Sequence, residues 1–284
     1  MNGIILVDKP SGWTSHDVVG KLRGILHERR IGHSGTLDPM ATGLLVVFVG
    51  RATRAVEFAE ADEKEYVAGL RLGVSTDTQD LSGTVLSENE QNISETELNA
   101  VLERFKGEIE QIPPMYSAIK VGGKKLYELA RKGIETERKP RRITIHELEL
   151  IGRDGNDFVL RVRCSKGTYI RTLCSDVGDA LGCGGCMSSL RRTKAGAFSL
   201  CDAHTIEEIQ SEPEKYILPT DSLFSAYPGF GVNESTEKKL RCGNTVSVTA
   251  QDGTYRVYSG SGEFLLLGKV DGGRLETIKN FFEV

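Results

Sequence analysis

Asp38 is the one carboxylate in GHSGTLDPMATG, residues 32–43, a segment that sets three glycines, a histidine and a proline between two apolar stretches. Carboxylates do chemistry as nucleophiles, as general acids or bases, and as counter-charges to a developing cation. Such groups work best on loops held by a rigid scaffold. Here the glycines permit positive φ and close approach of a bulky ligand, and Pro39 stiffens the turn just past the carboxylate. The ordinary use of an aspartate in this setting is an Asx-turn or a helix cap. The loop contains neither GxxxxGK[ST] nor GxGxxG, which argues against nucleoside triphosphate binding.

Other combinations carry less. Asp77 and Asp80 in TDTQD offer two carboxylates, fewer than a divalent cation site wants, so a polar turn is expected there. The five histidines are scattered and no GxSxG is present, so serine hydrolase chemistry is poorly supported. Cys183 and Cys186 form a CxxC, yet no second pair has ligand spacing, and no strand precedes a helix opened by the motif. Reduced thiols and no metal are the expectation.

The net charge of −4 excludes a protein that coats nucleic acid indiscriminately, but it leaves room for a focused basic surface. Between 120 and 142 stand Lys120, Lys124, Lys125, Arg131, Lys132, Arg138, Lys139, Arg141 and Arg142, against Glu128, Glu135 and Glu137. That asymmetry suits either a solvated face or a clamp on backbone phosphates. No apolar run approaches the roughly 18 residues of a membrane span, and Asp8 and Lys9 interrupt the apolar N-terminus, so a cytoplasmic protein is expected.

The elements that must position Asp38 follow from periodicity. IILV (4–7) reads as a strand, and Ser15 is placed to cap a helix with Val18, Val19, Leu22, Ile25 and Leu26 on one face. LLVVFV (44–49) reads as a buried strand, and a short helix is expected over 51–59. In KEYVAGLRLGV, Tyr66, Ala68, Leu70 and Leu72 alternate as on a half-buried strand. SETE (94–97) is a capping box opening a helix. Strands are expected at RITIHELELIG and DFVLRVRCS, and a helix over Ile170, Leu173, Val177 and Leu181. The absence of a βαβ rhythm selects the α+β class with a mixed, largely antiparallel sheet. Beyond about residue 228 the texture turns to short β segments between Gly, Asp and Ser, suggesting a small β-rich appendage over 229–284.

With these segments in order, the chain resembles the TruB family of tRNA pseudouridine synthases. The motifs that carry the resemblance are VDKPSGWTSHDVV, GHSGTLDPMATGLL, RATR, KEYVAGLRLGVSTDTQD, QIPPMYSAIKVGGKKLYELARKG, SKGTYIRTLCSDVG and LRRTKAGAF, which together span residues 3–225. The resemblance implies isomerisation of uridine 55 in the T-loop of tRNA by base flipping and an essential aspartate, without cofactor or metal. It makes Asp38 the catalytic aspartate, Arg171 its ionic partner, which would lower its pKa, and Tyr66 the ring that stacks on the target base or serves as a base. It assigns His33 to the space that the flipped uridine leaves, Tyr169 and Leu190 to the uracil pocket, and Lys9 to substrate binding. It also implies an RNA-binding insertion over about 113–142 of a catalytic domain 1–228, a C-terminal PUA-like RNA-binding domain, and action as a monomer without an obligate protein partner. Gly185 and Cys186 depart from the pattern, since many relatives carry a small residue followed by His or Tyr there. An RNA chaperone using the same surface, and a carboxylate glycosidase lacking an evident second carboxylate, are the competing expectations.

Overall fold

The computed structural model describes residues 1–60 and 63–283. β1 (Gly3–Lys9) feeds α1 (Ser15–Leu26), followed by β2 (Ile31–Ser34), the Asp38 loop and β3 (Thr42–Val49). The helix expected over 51–59 divides into a 3-10 segment, Gly50–Ala55, and α2 (Val56–Glu60). β4 (Lys64–Leu72) continues into a hairpin of β5 (Val74–Thr76) and β6 (Val85–Glu88). α3 (Glu95–Leu102) opens on the foreseen capping box, Ser94 with Glu97, and leads to β7 (Gly107–Gln111).

The basic stretch begins with a two-residue hairpin, β8 (Lys120–Val121) and β9 (Lys124–Lys125), and the short α4 (Leu126–Ala130). Then come β10 (Arg141–Asp154), β11 (Asp157–Cys164), α5 (Ile170–Ala180), β12 (Gly185–Ala195), β13 (Phe198–Ser199) and α6 (Ile206–Ser211).

The main sheet runs β1-β3-β12-β4-β11-β10-β7, with β2 on β3 and β13 on β12. Its pairs are antiparallel except β3 with β12, where Thr42 and Gly43 lie beside Arg191 and Arg192. A side chain at 43 would strike the Arg192 backbone at 2.4 Å, and the residue has φ +95°, so glycine is required where the loop rejoins the sheet. The Asp38 loop shares a core with the sheet centre: Leu37 and Ala41 pack with Ala68, Leu70, Leu160, Leu173, Val177 and Leu190. Burying those loop residues makes its backbone part of the hydrophobic core.

A second sheet, order β14-β16-β17-β18-β15, is formed by β14 (Gly229–Gly231), β15 (Val246–Ser247), β16 (Gly253–Tyr258), β17 (Phe264–Asp271) and β18 (Arg274–Asn280), with α7 (Glu234–Arg241). It has its own core around Leu240, Val257, Leu265, Leu266 and Phe282. It also shares one with the main sheet, where the ring centroids of Phe264 and Phe281 lie 6.0 and 5.7 Å from that of Phe224. No helix of the described residues is long and apolar enough to cross a membrane.

Candidate active site

The Asp38 loop is pinned from beneath by the segment that joins β1 to α1. Ser15 was expected to cap α1, but Thr14 fills that role in a capping box with Asp17. The buried Ser15 hydroxyl is thereby free to accept from the Leu37 N–H at 2.9 Å and donate to the Leu37 carbonyl at 3.2 Å. The Gly12 N–H donates to the Pro39 carbonyl at 2.8 Å.

Lys9 is fully buried. Its ammonium donates to the carbonyls of Pro10, Trp13 and Pro39 at 2.8, 2.6 and 3.3 Å. Burial lowers its pKa to about 8, against the pull of Asp38 and Asp17. With no exposed surface and its ammonium occupied by three carbonyls, Lys9, expected in substrate binding, serves here as a strut under the loop.

Asp38 and Arg171 come together from positions 133 apart in sequence. Nε of Arg171 lies 2.9 Å from Asp38 Oδ2, and Nη2 lies 3.5 Å from Oδ1. The Arg171 side chain is 7% exposed and that of Asp38 36%, so the carboxylate faces outward with the guanidinium behind it. The remaining arginine donors reach the carbonyls of Thr78 (3.1 Å) and Tyr116 (2.8 Å).

α5 places Arg171 in its first turn, and Gln111 fixes that turn through two hydrogen bonds to the Tyr169 backbone at 2.8 and 3.0 Å. Asp80, expected in a polar turn, is a buried second carboxylate 3.8 Å from Arg171, held by Thr78 and Ser82. Burial raises the Asp38 pKa, and Asp80 adds to the rise. Arg171 opposes without cancelling it, so the expected lowering is reversed in sign.

Tyr66 lies on β4 with Ala68 and Leu190 as near neighbours, since Leu190 pairs with Ala68 and Arg192 with Tyr66. Its phenol pKa is raised by burial, which disfavours the phenolate and leaves stacking as the role its environment supports. Tyr169 is half-buried at the start of α5, and Leu190 is buried in the core that also holds Leu37. His33, on β2, packs edge-on against His16 with centroids 5.5 Å apart. Burial lowers its pKa to about 4, so the imidazole is neutral at pH 7, and its Nδ1 is buried without a partner.

Sequence reading missed Asp80, Gln111 and Arg192. Arg192 is the largest fully buried side chain among the described residues. Its second arginine in LRRTKAG was the available signal. Among the described residues no three His, Cys, Asp or Glu side chains converge as a metal site. The basic stretch is a different surface: Lys120, Lys124, Arg131, Lys132, Lys139, Arg141 and Arg142 are exposed, and Arg138 donates to the Pro113 carbonyl.

Two family models match the chain, the TruB family pseudouridylate synthase N-terminal domain over residues 23–170 and the tRNA pseudouridylate synthase B C-terminal domain over 171–225. The tRNA pseudouridine synthase B of Clostridium kluyveri is 42% identical, covering 99% of this chain and all of its own. That of an Azoarcus species is 44% identical over 97% of this chain and 93% of its own. The chain belongs to the TruB family. A solved Cbf5-Nop10-Gar1 complex contains a chain that is 28% identical with TM-score 0.73, covering 99% of this chain and 85% of that one.

Gly185 and Cys186, named in the sequence as a departure from the expected pattern, lie in a tightly packed joint. Gly185 sits where α5 meets β12 at backbone distance, its neighbours being the Cys174 carbonyl and Gly178. Cys186 is buried on β12 and burial pushes its thiol to about 11. Neither residue reaches Asp38 by any hydrogen bond or ion pair, so the departure lies in the helix–sheet joint.

Proposed function

We propose that this TruB-family chain converts uridine to pseudouridine at position 55 in the T-loop of tRNA, with Asp38 as the essential carboxylate. The reaction breaks the N1–C1′ bond, turns the uracil and joins C5 to C1′, while one proton leaves C5 and one arrives at N1. Nothing is oxidised or reduced, so the balance requires neither cofactor nor metal. Asp38 acts as a nucleophile or as the counter-charge to positive charge at C1′. Arg171 holds it in place, Tyr66 stacks on the base, and Tyr169 and Leu190 line the uracil pocket.

Uridine in a folded T-loop must leave the stack, at a cost of a few kcal/mol. His33 takes the vacated space. The insertion over 113–142 and the PUA-like domain beyond 228 grip the RNA, and the protein works as a monomer. The supporting observation is the outward-facing Asp38 carboxylate backed at 2.9 Å by the buried Arg171. The test is Asp38→Asn on a T-arm stem-loop, with no pseudouridine expected and RNA binding kept. Substantial turnover by the variant overturns the assignment.

A further inference from the structure

Arg192 carries a charge into the protein interior with no carboxylate in ion-pair distance among the described residues. Burying an unpaired cation is costly, and a chain that keeps one must satisfy its donors closely. The donors go to informative places. Nε reaches the Leu44 carbonyl at 2.7 Å and Nη2 the Gly35 carbonyl at 3.0 Å. Gly35 is where the Asp38 loop leaves β2, and Leu44 is two residues after it enters β3. One guanidinium therefore ties both ends of the loop.

Tyr66 is the register partner of Arg192 on β4, so the two side chains stand side by side on one face of the sheet, and the guanidinium charge opposes the rise that burial imposes on the phenol pKa. Nη1 lies so near the loop that a methyl on Gly35 would come within 3.1 Å of it.

We propose that Arg192 is a positioning residue for the isomerisation: its buried fork fixes the separation between the Asp38 carboxylate and the Tyr66 ring. The inference rests on the reading that Asp38 and Tyr66 carry the reaction. A uracil that is detached, turned and rejoined needs its stacking partner and the carboxylate at C1′ held in one frame, because small misplacements of reacting groups cost large factors in rate. Lysine cannot substitute. An ammonium offers three donors from one point, whereas the planar fork offers five from separate nitrogens, which suits it to the Gly35 and Leu44 carbonyls at opposite ends of the loop.

The experiment is a double-mutant cycle of Arg192→Lys and Tyr66→Phe. It reads single-turnover pseudouridine formation and affinity on a T-arm stem-loop. Arg192→Lys should slow the step by about 100-fold with affinity within about threefold. In the Tyr66→Phe background the same substitution should cost much less, the sign of a shared pathway.

A rate within about twofold of the parent, or an equal loss in both backgrounds, overturns the proposal. Should Arg192→Lys fail to fold, Tyr66→Phe alone decides: it should slow the step about tenfold, and an unchanged rate overturns the link. An active Asp38→Asn would instead bring down the underlying reading, whereas an inactive one beside a fully active Arg192→Lys removes the Arg192 role alone.

Discussion

The Asp38 loop and the basic stretch over 120–142 are both irregular, proline- or glycine-bearing segments, yet they are built on opposite principles. The loop is fastened from below by Ser15, Gly12, Lys9 and Arg192, and two of its residues lie in the hydrophobic core. In the basic stretch the exposed cations make no ion pair among the described residues, and its regular structure amounts to a hairpin of two two-residue strands, one short helix and the first two residues of β10. A group that must meet a reacting atom benefits from fixed geometry, whereas a surface that attracts a polyanion works through charge at a distance. Just ahead of the basic stretch, the Tyr116 carbonyl accepts from Arg171, the residue that backs Asp38.

That contrast can be broken first at Arg171. Arg171→Ala leaves Asp38 facing Asp80 without a cation between them, and turnover on a T-arm stem-loop should fall about a thousandfold with little change in affinity. A loss confined to affinity would place Arg171 among the RNA-attracting cations.

Lys9→Met is the next largest case. It takes the ammonium from the Pro10 and Trp13 carbonyls and leaves the Pro39 carbonyl with the Gly12 N–H alone, so urea denaturation should show a loss of about 1–3 kcal/mol alongside slower turnover. Intact stability would mean that the loop stands without its strut.

The opposite signature is expected from Lys124→Ala combined with Lys132→Ala. Affinity should weaken several-fold at about 0.1 M salt, the log–log salt slope should shrink by about 0.7–0.9 per cation, and saturating turnover should stay unchanged.

The smallest effect concerns Asp38 itself. Folding raises its pKa, so the protonated carboxyl is the form the fold favours, and stability falls as pH rises through the raised value. On the role proposed for Asp38, turnover should rise over that same range, above the ordinary 3.8. Asp38→Asn should therefore be at least as stable as the parent at pH 7, with the gap closing toward pH 4, as thermal unfolding across pH would register.

How far the sequence foretold this depends on the reach of each interaction. The SETE capping box is a four-residue contact, and Ser94 and Glu97 form it as read. The alternation through β4 follows from a two-residue repeat, and Ala68, Leu70 and Leu72 are buried accordingly. Thr14 displaced Ser15 as the cap because a tertiary contact, Leu37 on Ser15, competed for the hydroxyl.

Asp80 was read as a turn residue, and its tie to Arg171 went unread for a different reason. Its neighbours in TDTQD satisfy it locally like any turn aspartate, and its relation to Arg171 crosses from the β5–β6 hairpin to α5. The sign of the Asp38 shift was out of reach because sequence names a charge partner but not the burial that outweighs it. The pairing of Asp38 with Arg171 came from family resemblance, since no local spacing joins residues 133 apart.

The aromatic contact between the two sheets bears on how such a chain can change over generations. Phe224 belongs to the first sheet's segment and Phe264 and Phe281 to the second, and Arg54 reaches across to Asn280 at 2.7 Å. A gene shortened at codon 228 would encode a protein with a raw greasy flank where those rings had been, prone to clump as it leaves the ribosome. Swapping the second sheet for an unrelated module meets the same obstacle unless the newcomer brings matching rings. Inheritance of the two halves as one unit is thus enforced by the seam between them.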